Sequence, residues 1–144
     1  MDDTAFQLSR LLGPLRRAVL RSTRSAEGLP DLPEAQIELL RSLAAEGPLG
    51  TRDAAARLRI APSTVSNLVK TMTGAGLVER TSDPADLRAV VLTPSAAALE
   101  LLDRYDRTSA EALTRTIGEL PAADRQALTA ALPVLVRLVT ALEK

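Results

Sequence analysis

The chain has 144 residues, the length of one ordinary domain and enough to bury a core. It carries 18 basic and 18 acidic residues, no cysteine and no histidine. That excludes disulfides, thiolate chemistry and cysteine redox sensing, and removes the commonest metal ligand and general base.

In chain order, a first helix is predicted from about Thr4 to Ser25. Phe6, Leu8, Leu11, Leu12, Leu15, Val19 and Leu20 form its apolar stripe, and Arg10, Arg16, Arg17, Arg21 and Arg24 occupy most of the rest. The arginines read first as a solvated face and second as a reserve of phosphate contacts. Pro14 is expected to kink or divide this helix. Gly28-Leu29-Pro30-Asp31 reads as a linker. A second helix starts at Leu32-Pro33-Glu34, with proline at the first helical position and acid in the first turn. Its core-facing residues are Ile37, Leu39, Leu40 and Leu43, Gly47-Pro48 ends it, and a short extended piece falls around Leu49.

The stretch Thr51 to Arg80, TRDAAARLRIAPSTVSNLVKTMTGAGLVER, organises the rest. It reads as a short helix with Thr51 as N-cap, a turn at Arg59-Ile60-Ala61, and a second helix with Pro62 in its first position. Val65, Leu68, Val69 and Met72 fall on one apolar stripe. Opposite lie Ser63, Thr64, Ser66, Asn67, Lys70 and Thr71, short polar side chains with one lysine and no acid. A solvated helix usually carries Glu/Lys pairs instead. Short donors and acceptors without negative charge suit a face that approaches phosphates and base edges. The bland alternative is a plain solvated helix hairpin.

Gly74-Ala75-Gly76 stops that helix. Leu77 to Arg80 then reads as a strand, Thr81 to Leu87 as a polar turn and Arg88 to Leu92 as the returning strand. A helix-turn-helix followed by a β-hairpin is a winged helix. Thr51 to Val90 holds six basic and four acidic residues, whereas Asp31 to Gly50 holds one and four, so the positive bias lies with the polar face. Thr93 is expected to cap a long helix with Pro94 at its first position, reaching about Ile117. Leu99, Leu102, Ala110, Leu113 and Ile117 form its apolar side. Pro121 opens a last helix that is apolar almost all round, with a bend expected at Pro133. A helix this apolar is expected to pack on a second copy of the chain, together with the first helix.

No apolar run is expected to reach the roughly 18 residues of a membrane span, and no signal-peptide pattern is seen. The expectation is therefore a cytoplasmic protein with no membrane partner, no metal and no cofactor.

With LPEAQIELLRSLAAEGPL, IAPSTVSNLVKTMTGAGLVER and DPADLRAVVLTPSAAAL in hand, the chain resembles the MarR family of winged helix-turn-helix transcriptional regulators across essentially its whole length. The order GLVER, DPxDxR, LTP is the more specific part. The resemblance implies a mainly α fold with a small β-wing: a winged helix-turn-helix core flanked by N- and C-terminal dimerisation helices. Within that single domain, 1–30 would be the first dimerisation helix and linker, 31–93 the DNA-binding region and 94–144 the C-terminal dimerisation helices. It implies a homodimer on an inverted repeat of double-stranded DNA, more often repressor than activator. Ser63, Thr64, Ser66, Asn67 and Lys70 match the groove-facing positions. Asp86 and Arg88 match the wing's Asp-x-Arg, whose arginine reaches a narrow, negative minor groove while the aspartate orients it.

Four departures stand out. Arg59 replaces a frequent glycine, Ala54 a larger apolar residue and Leu87 a frequent wing base, and the returning strand is about two residues short. Family members commonly bind a small-molecule effector, often a phenolic or lipophilic anion. With Phe6 and Tyr105 the chain's two aromatics, composition speaks against an aromatic-lined pocket, and Arg16, Arg17 and Tyr105 are the candidate contacts. Two other readings carry less. One is a protein-interaction module that kept the fold without useful DNA affinity. The other is an enzyme using Ser66 with Lys70 or Asp83 with Asp86, for which no partner base or oxyanion donor is implied, so no catalytic residue is assigned.

Overall fold

The computed structural model describes residues 3–144, without the side chains of residues 24–27, so the expected place of Arg24 lies outside the described residues. The elements run α1 (Asp3–Glu27), α2 (Glu34–Glu46), α3 (Thr51–Leu58), α4 (Pro62–Gly74), β1 (Val78–Ser82), β2 (Val90–Pro94), α5 (Ala96–Gly118) and α6 (Ala122–Leu142). The fold is mainly α with a small β-wing. Two compact units result, one of Ala26–Arg107 and one that joins the chain up to Ser25 with Thr108–Lys144.

The core of the Ala26–Arg107 unit gathers the stripes expected from periodicity. Ile37, Leu39, Leu40 and Leu43 of α2 meet Ala54 and Ala55 of α3, Val65, Val69 and Met72 of α4, and Leu77, Val78 and Leu92 around the wing. Proline opens α2 differently from expectation. Pro33 has ψ 147°, outside the helical range, so it is the N-cap, and its carbonyl accepts the Gln36 and Ile37 N–H groups. Thr51 is likewise the first helical residue of α3 rather than its cap, a position taken by Gly50.

Two turns of one design set the geometry of the helix-turn-helix. At the end of α3, Ile60 N–H bonds to Ala55 O and Arg59 N–H to Ala56 O, with Arg59 left-handed at φ 55°, ψ 43°. At the end of α4, Leu77 N–H bonds to Met72 O and Gly76 N–H to Thr73 O, with Gly76 at φ 74°. Both are Schellman turns, and Ile60 and Leu77, the residues that close them, pack on the core. The second uses glycine, whereas the first holds an arginine where a side chain is strained by about 1–2 kcal/mol. Arg59→Gly is therefore expected to raise unfolding stability by about 1 kcal/mol after the greater chain entropy of glycine is counted. A urea melt with an unchanged or lower midpoint would contradict this.

The wing pairs Val78 with Pro94, Glu79 with Thr93, Arg80 with Leu92, Thr81 with Val91 and Ser82 with Val90. Each strand begins one or two residues later than expected, and β2 takes in Thr93 and Pro94 to reach five residues. Pro94 is tolerated because a two-stranded sheet leaves β2 as an edge strand at this position. Leu49 adds a single bridge to Leu92, its N–H and O bonded at 3.2 and 2.7 Å. Thr93 and Pro94 therefore do not open α5. Ser95 does: its Oγ accepts the Ala98 N–H at 3.1 Å and donates to Gly76 O at 2.7 Å, tying the helix start to the turn after α4.

Along α5 the buried positions are Ala98, Leu102, Tyr105, Thr108 and Ala112, while Leu99 and Leu113 are exposed, so the expected apolar side is rotated. The Tyr105 hydroxyl donates to Pro30 O and anchors the linker, a structural use of a residue considered above for ligand contact. Arg41 grips Asp106 through two hydrogen bonds of 2.7 and 3.2 Å. That hydrogen bond, helped by the carboxylate's charge, holds Arg41 protonated beyond its ordinary range. Half-exposed on both sides, the pair contributes at most about 1 kcal/mol.

In the other unit the fully buried Thr23 donates to Val19 O at 2.8 Å, which leaves its oxygen to accept from Ser109 Oγ at 2.8 Å. α1 runs undivided past Pro14 and α6 past Pro133. No residue of α6 is buried, and Leu132, Val134, Val136, Val139 and Leu142 are all more than half exposed. Phe6, Leu11, Leu12 and Leu15 of α1 are exposed as well.

Candidate nucleic-acid interface

The polar face of α4 is built by what the apolar face must do. With Val65, Val69 and Met72 committed to the core, Ser63, Thr64, Ser66, Asn67 and Lys70 are all turned to solvent. Pro62 fixes the start of the helix, so Ser63 and Thr64 sit in its first turn, where a groove-reading helix presents side chains to base edges. None of the five makes a side-chain hydrogen bond or ion pair within the described residues. Their donors and acceptors stay available to a ligand. Ser66 and Lys70, one turn apart, do not bond each other.

The wing tip, residues 83–89, is ordered by its two aspartates. Asp83 Oδ1 accepts the Ala85 N–H at 2.9 Å, and Asp86 Oδ1 accepts the Arg88 N–H at 3.0 Å. Asp83 N–H reaches Ala89 O, and Ala89 N–H reaches Asp86 O, both at 3.0 Å. These are Asx-type turns, in which a short carboxylate replaces a backbone acceptor. Asp86 therefore acts on Arg88 through its backbone, setting where the residue leaves the turn. The exposed guanidinium has no acidic partner among the described residues. Leu87, beside it, is 79% exposed. Each carboxylate gives one oxygen to a turn, a structural use of both acids.

A further group was not picked out from the sequence. Thr51, Ser66, Arg80, Thr81, Ser82, Val90 and Leu92 line an open cleft of about 420 Å³ between the start of α3, the polar face of α4 and the wing. Strand alternation places Arg80 and Ser82 on one face with their partners Leu92 and Val90, and Glu79 on the other. The alternation was legible; the neighbours Thr51 and Ser66 were not.

The polar helix, its uncharged short side chains and the paired wing define a winged helix-turn-helix protein. Residues 32–90 match the MarR family model. A relative from Mycobacterium bovis, an HTH-type transcriptional regulator, is 28% identical over 134 residues, covering 91% of this chain and 94% of the relative. In fold the chain is similar to the crystal structure of RV1404 from Mycobacterium tuberculosis, with a TM-score of 0.81, 19% identity and coverage of 97% and 96% of the two chains. It is also similar to a MepR variant from Staphylococcus aureus bound to an oligodeoxyribonucleotide, with a TM-score of 0.67, 17% identity and coverage of 96% and 99%. Over residues 32–90 the chain is therefore similar to the MarR family, and over most of its length to HTH-type transcriptional regulators. The family and these relatives are regulators, not enzymes.

Proposed function

We propose that the chain acts in the cytoplasm as a homodimeric, sequence-specific regulator that binds an inverted repeat of double-stranded DNA, in the sense of a repressor. The observation that carries this reading is the face of α4, with five exposed short or basic side chains, no acid and no intramolecular partner. In it, Ser63, Thr64, Ser66, Asn67 and Lys70 enter the major groove, and Arg88, presented by the Asp86 turn, reaches the adjacent minor groove. Residues 31–93 read DNA, and residues 1–30 and 94–144 join the two copies. A two-fold pair of such modules expects half-sites about one helical turn apart.

Dimerisation is supported by the exposed apolar side chains of α1 and α6. Contrary to the expectation that no apolar run is long enough, α6, at 21 residues, has an 18-residue window of mean hydropathy 1.3 and by length and composition alone could cross a membrane. A dimer covers both helices, whereas α1, with its four described arginines, has no place in a bilayer. An effector that relieves repression completes the proposal. A hollow of about 130 Å³ lined by Leu15, Ala18, Val19, Ser22, Ala112, Leu113 and Thr116 suits a small aliphatic body, and Arg16, Arg17 and Tyr105 do not line it.

Titration against DNA from the gene's own upstream region, with random DNA alongside and at several salt concentrations, tests this reading. Tight, steeply salt-dependent binding that prefers the upstream DNA is expected, because phosphate contacts release counterions. The second reading, a protein-interaction module with little DNA affinity, is favoured by the apolar Leu87 at the wing tip and by zero net charge. Absence of binding even at low salt would select it.

A further inference from the structure

The cleft between the start of α3, the polar face of α4 and the wing differs chemically from the reading face. Its lining holds the hydroxyl residues Thr51, Ser66 and Ser82 and one guanidinium, Arg80, with no acidic residue; Thr81 borders it too, but alternation turns its side chain to the opposite face of the strand. None of the side chains of Thr51, Ser66, Arg80 and Ser82 has a hydrogen bond or ion pair among the described residues. By contrast Arg41, Arg57 and Arg107 in the same unit each hold a carboxylate at 2.7 Å. Glu79, the acid next to Arg80 in the chain, is turned to the opposite face of the strand by alternation. Thr51 would spend its hydroxyl on the α3 amides if it were the N-cap; because Gly50 holds that position, the hydroxyl is left to the cleft.

An unpaired fork of N–H donors among hydroxyl donors, with no acceptor charge nearby, matches a tetrahedral monoanion whose oxygens need several donors. The cleft also adjoins both elements proposed to enter the grooves, since it shares Ser66 with the reading face of α4 and Arg80 to Ser82 with the wing. The occupant that lies between a major and an adjacent minor groove is the strand that separates them. We propose that this cleft seats a backbone phosphodiester of the bound DNA, with Arg80 as its charged ligand and Thr51 and Ser66 as hydroxyl donors. The seat carries no sequence information; it sets how deep α4 lies and how the wing is aimed. The proposal rests on the DNA-binding reading and extends it to residues outside the reading face.

The test uses the full chain and a random-sequence duplex, titrated between low and moderate salt, for the wild type, Arg80→Ala and Arg80→Lys. Removing one phosphate contact is expected to make the log–log salt slope shallower by about 0.9 for each protomer engaged. Affinity at low salt should fall about tenfold per protomer, equally for every sequence tried. Arg80→Lys should keep most of the slope while losing part of the affinity, a split that a merely structural role of Arg80 would not produce. Thermal melts of the variants should match the wild type. Should Arg80→Ala lose its transition, Arg80→Gln, which retains the stem and an amide, takes the same slope test. Wild-type binding with an unchanged slope in the uncharged variants would overturn the phosphate seat and leave the DNA-binding reading standing. Failure of the wild type to bind the duplex would overturn both. Saturable binding of inorganic phosphate that Arg80→Ala abolishes, with the DNA slope unchanged, would assign the cleft to a free anion and overturn the DNA assignment.

Discussion

A chain ending at Ile117 is expected to lose the dimer and to precipitate or bind hydrophobic dyes. Deleting the residues that follow removes all of α6, whose apolar side chains lie largely in water within a single chain. Covering one leucine or valine fully stabilises by roughly 1.5–3 kcal/mol. Leu128, Leu132, Val134, Leu135, Val136, Leu138, Val139 and Leu142 are all exposed, so two copies that cover even half of them gain enough to offset the entropy of association. The same deletion leaves the exposed α1 side chains without the α6 of a second copy to cover them. Light scattering across the micromolar range measures the outcome for the full chain and the fragment. A fragment that stays soluble and dimeric would place the interface elsewhere. A full chain that floats with lipid vesicles would move α6 from a dimer interface to a bilayer.

The second large effect concerns Asn67 and Lys70, which should fail in different ways when replaced by alanine. A side-chain amide that pairs with a base edge discriminates by about 1–3 kcal/mol, so Asn67→Ala should weaken the preferred site roughly tenfold to a hundredfold and random DNA hardly at all. Lys70 carries a compact charge suited to phosphate, so Lys70→Ala should weaken all sequences alike and make the salt slope shallower by about 0.9 per protomer. Both residues are exposed and unpaired, so neither change should disturb folding. Filter binding of both variants on preferred and random duplexes separates the effects. If neither variant differs from the wild type, α4 is not the reading helix.

Much of this architecture could be read along the chain because local chemistry and tertiary packing agree there. The stripe Val65, Val69, Met72 has one face to bury and one core to bury it in. Pro62 can only start a helix, and Gly76 accepts the positive φ that the turn into the wing requires. Arg59 is informative as an exception, since a left-handed arginine goes against local preference in a turn closed by the backbone bonds from Ile60 to Ala55 and from Arg59 to Ala56, with Ile60 packed on the core.

Where expectation and structure part, a distant neighbour made the choice. Thr93 and Ser95 are both competent caps for α5, and the β ladder decided between them: Glu79 pairs with Thr93 and Val78 with Pro94, so the helix waits for Ser95. α5 offers apolar side chains over more than one face, and which one is buried depended on what packs against it, a matter that periodicity cannot address.

The amino-acid sequence alone determined the winged helix, the acid-free polar face of α4 and the absence of cysteine and histidine chemistry, because spacing and side-chain type settle each of these locally. Only the tertiary structure decided that Arg80 stands unpaired beside Thr51, Ser66 and Ser82. Strand alternation turns one side chain toward a face, but which helices wait on that face is set by packing between segments far apart in the chain.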